Sequence, residues 1–116
     1  MGPDAADAVR LRDLLDHARA LASIAGSLVD GWRDREWAAA ARSIGAMDDA
    51  ARTVSPGFRQ EHGEIAWGSI GGLGHAITAH SGSTAQVELR RFVDEILPDL
   101  LRHLAWIVPP QPPDDV

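Results

Sequence analysis

His75 and His80 sit in and after a Gly-rich segment, WGSIGGLGHAITAH, that begins at Trp67. Imidazole exchanges protons near neutral pH, so a pair of them suits acid and base roles in metal-free phosphodiester cleavage. One group would take the proton of a 2′-hydroxyl and the other would return one to the leaving oxygen. The reaction also develops negative charge on a pentavalent phosphorus, which the planar fork of Arg stabilises well. No Arg lies between Trp67 and His80, and Arg90 and Arg91 on the last helix are the candidates to reach in. Five residues along an α-helix is a rotation of about 140°. The two imidazoles therefore do not share a face within one chain, although they could meet across a two-fold axis. The simpler alternative is that both are polar surface or helix-end residues.

His17, His62 and His103 are scattered, without a spaced set of carboxylates, and there is no Cys. That pattern predicts no metal site, disulfide or cofactor. The glycines at 68, 71, 72 and 74 lack the Lys-Ser/Thr setting of a phosphate loop. Asp48-Asp49 and Asp114-Asp115 read as solvated charges, and Trp32, Trp37, Trp67 and Trp106 as core or interface anchors. The net charge of −6 argues against a broad nucleic-acid surface, though a local Arg cluster stays compatible with RNA. The absence of long apolar runs, of a signal-peptide order at the start and of cysteine fits a cytoplasmic protein without a membrane span.

These residues must be positioned by helices. Leu11, Leu14, Leu15, Ala18, Leu21, Ala22, Ala25, Leu28 and Val29 recur at helical spacing and predict a first helix over 5–30, with Asp4 as N-cap and Gly31 as stop. Trp37, Ala41, Ile44, Met47, Ala51 and Val54 predict a second over 35–54. Ser55-Pro56 opens a short helix that Gly63 ends. The third main helix spans 66–80 on Trp67, Ile70, Leu73 and Ile77, with Gly68 and Gly72 one turn apart and open to close approach of another backbone. Ser83 and Gln86 form a possible capping box for the last helix, 84–108, in which Pro98 should cause a kink. Nothing alternates with period two. The expected fold is all-α, an up-and-down bundle of four main helices plus a short one over residues 1–108. A disordered, acidic, Pro-rich tail over 109–116 is expected to follow.

Three segments in this order resemble the HEPN superfamily, and within it the HepT-like toxins of prokaryotic toxin–antitoxin pairs. The first is RLRDLLDHARAL near the start. The second runs from Ser55-Pro56 through Phe58-Arg59, His62 and Ile65 to Trp67, similar to the family's SP-x-FR…HPEIPW, with Gly63 and Ala66 where Pro is usual. The third is DEILPDLLRHL, with its Leu97-Pro98 step. Together they cover about residues 8–106.

The resemblance implies a HEPN-like bundle that dimerises, and a ribonuclease motif of Arg, then His four to six residues on, then Tyr two residues later. After the Trp the family reads like xxIxGMRNxxxHxY, where this chain has GSIGGLGHAITAH. Ile70, Gly72 and Leu73 fit, and the Arg-Asn pair becomes Gly74-His75. With one inserted residue the catalytic His corresponds to His80, the Arg slot to His75 and the Tyr slot to Gly82; without it the His slot falls on Ala79. The family's partner is a nucleotidyltransferase that silences the toxin by attaching AMP to the motif Tyr. This chain has no Tyr, so partner control would act through binding or another hydroxyl such as Ser81 or Ser83. The expectation is a dimeric binding or regulatory subunit with weak or lost nuclease activity. The alternatives are an active metal-independent ribonuclease toxin using His80, and an unrelated helical interaction protein.

Overall fold

The computed structural model describes residues 4–26, 34–79 and 83–108. They form an all-α bundle, with no strand among the described residues. Helix α1 is Ala5–Gly26, α2 Asp34–Thr53, α3 Pro56–Glu61 and α4 Trp67–Ala79. The last long helix runs from Ser83 to Ile107 as α5 (Ser83–Arg91), one π-helical turn (Phe92–Ile96) and α6 (Leu97–Ile107). Four long helices and one short one therefore stand where the sequence placed them. Leu28, Val29, Gly31 and Trp32, the Ser83 side chain, His80 and the tail lie outside the described residues. Among the described residues no helix is long and apolar enough to cross a membrane.

Helix α1 starts as its sequence demands. The Asp4 carboxylate accepts the Asp7 amide at 2.7 Å and the Asp4 carbonyl accepts the Ala8 amide at 2.8 Å, which satisfies donors otherwise orphaned at a helix start. Its buried line of Leu11, Leu14, Leu15, Ala18 and Leu21 packs along α2, whose own buried residues include Ala40, Ile44, Met47 and Ala51. Helix α4 also packs against α2, and α6 returns to α1. Fully burying a Leu of this kind contributes about 1.5–3 kcal/mol relative to exposure.

Two local expectations are met in a different physical form. Helix α3 ends at Glu61, just before the His62 cap and Gly63: the His62 backbone N–H donates a hydrogen bond to the Phe58 carbonyl at 3.0 Å. Gly63 does not adopt the left-handed backbone that would require glycine. Secondly, the disruption expected at Pro98 is taken up by the π turn. Leu97 donates its amide to Phe92, five residues back, so the hydrogen-bond ladder has already slipped where Pro98 lacks a donor. The same slip fixes the packing. Leu89, Phe92, Leu97, Leu100 and Leu104 are all buried, although the step from Phe92 to Leu97 is five residues. In an unbroken α-helix that step would rotate Leu97 about 140° away from the face of Phe92.

Candidate functional site

The stretch from Ser55 to Trp67 forms a locked corner that delivers α4 to the bundle. Ser55 caps α3, accepting the Phe58 amide at 3.4 Å, with Pro56 opening the helix. Its hydroxyl donates to Asp7 Oδ2 at 2.6 Å and its amide to Asp7 Oδ1 at 2.9 Å. Phe58 stacks on His62, ring centroids 4.2 Å apart. His62 Nδ1 bonds Glu64 Oε1 at 2.9 Å. The Trp67 indole N–H is shared between the carbonyls of Arg59 at 3.1 Å and His62 at 3.0 Å. Helix α4 then begins with the Ile70 amide on the Ala66 carbonyl.

Asp7 is the corner residue that the sequence reading missed. It is only 5% exposed, and its spacing carried a signal: positions 7, 11, 14 and 18 lie on one helical line, so a carboxylate there needs a buried partner. The Ser55 hydroxyl, then the Ser55 amide, hold its pKa below the ordinary 3.8. Likewise the bond from His62 holds Glu64 below its ordinary 4.5. A carboxyl depressed in the folded state binds its proton more readily unfolded. Its stabilisation is therefore present at neutral pH and lost as pH falls through the folded value. Asp7→Asn should lower the urea midpoint at pH 7, and the gap to the parent should narrow on acidification below 3.8. A gap that stays constant with pH would show that the Asp7 charge is not what Ser55 stabilises.

On α4 the structure places His75 at an exposed position, and His80 lies outside the described residues. Gly68 and Gly72 were expected to admit a close backbone, but a side chain added at either would meet nothing within 4 Å. The close approach is at Gly74, where an added Cβ would lie 3.1 Å from Asp48 Oδ2 and 3.3 Å from its Cγ. Asp48 is thus not a freely solvated charge: its side chain is 22% exposed, wedged against α4 and reached by Arg52 at 3.6 Å. Asp49, 75% exposed and paired with Arg52 at 2.8 Å, does behave as a surface charge.

Of the two arginines expected to approach α4, Arg90 turns to Asp94 at 3.9 Å and is 81% exposed. Arg91 pairs with Glu95 at 3.2 Å and lines a groove of about 350 Å³. The α4 wall of that groove is Ser69, Gly72 and Leu73, and the facing wall is Glu88, Arg91, Phe92, Glu95 and Ile96. Among the described residues no group of three His, Asp or Glu side chains is arranged to hold a metal. Trp37 and Trp67 pack against the core, while Trp106 is 88% exposed. Comparison with protein-family models, with curated proteins and with solved structures finds no match to this chain.

Proposed function

We propose that the chain is a HepT-like HEPN-domain protein of a toxin–antitoxin type system, with weak or lost nuclease activity. In this reading it acts in the cytoplasm as a dimeric binding or regulatory subunit for a nucleotidyltransferase. The observation that carries the loss of activity is the Gly74–Asp48 contact. In the alignment without an inserted residue Gly74-His75 takes the place of Arg-Asn and Ala79 that of the His, and a carboxylate fills the space a side chain at 74 would enter. A negative charge there opposes a phosphate, where the chemistry needs a positive one. Removing one such electrostatic donor typically costs ~100- to 1000-fold in rate. The corner at Ser55–Trp67 supports the scaffold half of the reading, because the residues that carry the resemblance hold one another and α4 in place. Gly68, Gly72 and His75 leave one side of α4 exposed, which suits self-association.

The second reading, an active ribonuclease using His80, draws on Arg91, which lines the groove beside Ser69 and Gly72 and could supply the missing cation. Incubation with mixed cellular RNA in EDTA, beside His80→Ala, separates the two. The first reading expects no cleavage by either protein. Cleavage by the parent and not by His80→Ala would overturn it in favour of the second. Failure to co-purify with a nucleotidyltransferase encoded beside it would remove the proposed partner.

A further inference from the structure

The groove between α4 and the α5–π segment differs in charge from a phosphate site. Its rim carries two carboxylates, Glu88 and Glu95, against one cation, Arg91. Arg91 is already engaged by Glu95 at 3.2 Å, whereas Glu88 has no cation partner among the described residues. The floor is apolar, made by Leu73, Phe92 and Ile96. One wall is the π turn, a local geometry that recurs at functional sites in other proteins. At about 350 Å³ the space takes a side chain or two, not a helix.

We infer that this groove is a docking site for a basic segment of a protein partner, which inserts an Arg side chain. The aliphatic stem of Arg lies over the apolar floor while its guanidinium reaches Glu88. Arg is enriched at such interface anchors because one side chain supplies both contacts. Charge decides against the other occupants. An RNA phosphate would meet an excess of carboxylate at the rim. A second copy of this chain would offer Arg52, Arg90, Arg91 and Arg102 already paired with its own carboxylates. A basic segment is attracted both by the groove's carboxylates and by the net charge of −6. The inference stands on the groove alone and needs no role for the α4 histidines, but it excludes the reading in which Arg91 serves an RNA phosphate there.

The test is an amide-resolved NMR titration of the full chain with a short peptide centred on Leu-Arg-Leu, beside the same peptide with Glu for Arg. The Arg peptide should shift the amides of Gly72, Glu88 and Glu95 saturably, and the Glu peptide should not. Glu88→Gln should weaken binding up to about fivefold, the upper end for one exposed charge pair. Glu88→Arg should weaken it by roughly tenfold or more, since repulsion replaces attraction. Asp16→Asn, at an exposed position on α1, should leave it unchanged. Raised salt should weaken binding by screening. Equal shifts from both peptides, no saturable shift in the groove, or the same amides responding to a short RNA would overturn the inference. So would a change in sedimentation of Glu88→Arg, which would mean that a second copy occupies the groove.

Discussion

Trp67→Ala should lower the free energy of unfolding by about 3 kcal/mol or more, the range seen when large aromatic side chains are cut to Ala. Two losses combine. The indole leaves the core surface against which it packs, and the carbonyls of Arg59 and His62 lose the N–H they share. Trp67→Phe separates them: it keeps most of the ring area and removes the donor, so its cost should be about 0.5–1.5 kcal/mol. Small domains have only about 5–15 kcal/mol in total, so the alanine change removes a large part of the margin. Urea midpoints with an unchanged slope would measure both. Equal costs for the two variants would mean that the hydrogen bonds, and not the packing, hold the corner.

Deleting Asp94 from the π turn should cost about 3 kcal/mol, and the same deletion in a Pro98→Ala background should cost little. The turn has two causes that this pair pulls apart. The five-residue step from Phe92 to Leu97 requires one extra residue if both are to stay buried. Removing a residue leaves a four-residue step, which an ordinary α-helix accommodates, so the apolar face survives. What then returns is the penalty of Pro in a helix interior, about 3 kcal/mol, because the slipped ladder no longer absorbs the missing donor. Pro98→Ala alone should retain the π turn, since the five-residue step remains. Denaturation of the three variants checks this. A deletion equally costly with and without Pro98 would show that the turn serves the packing in some other way.

The helices were legible because their apolar residues repeat at helical spacing, most clearly at Leu11, Leu14, Ala18 and Leu21. The cap at Ser55-Pro56 was legible because both residues have narrow backbone preferences. The π turn was half visible: Pro98 announced a disruption, but which residues absorb it depends on the spacing of buried positions on both sides. The Asp7–Ser55 bond joins residues 48 apart and no local pattern pairs them. Nor could sequence say which glycine of α4 is the close one. Gly68 and Gly72 share the spacing of a contact stripe, yet rotation of the helix turns Gly74 to Asp48 instead. Within the candidate site, His75 is placed on an exposed face and His80 lies outside the described residues, so their relation is not legible from either.

Helix α4 has four glycines in thirteen residues, Gly68, Gly71, Gly72 and Gly74. At about 0.8–1 kcal/mol each relative to Ala, these make α4 about 3–4 kcal/mol poorer as a helix by its own propensity. Its order is therefore borrowed from Ile70 and Leu73 in the core and from the corner at Trp67. Segments held this way open locally at lower free energy than the rest of a domain. A partner seated on α4 would then add rigidity, because binding favours the helical state of a segment whose own propensity for it is low. The glycine density that leaves α4 short of its own helical stability thus also makes it a segment able to register that something has bound.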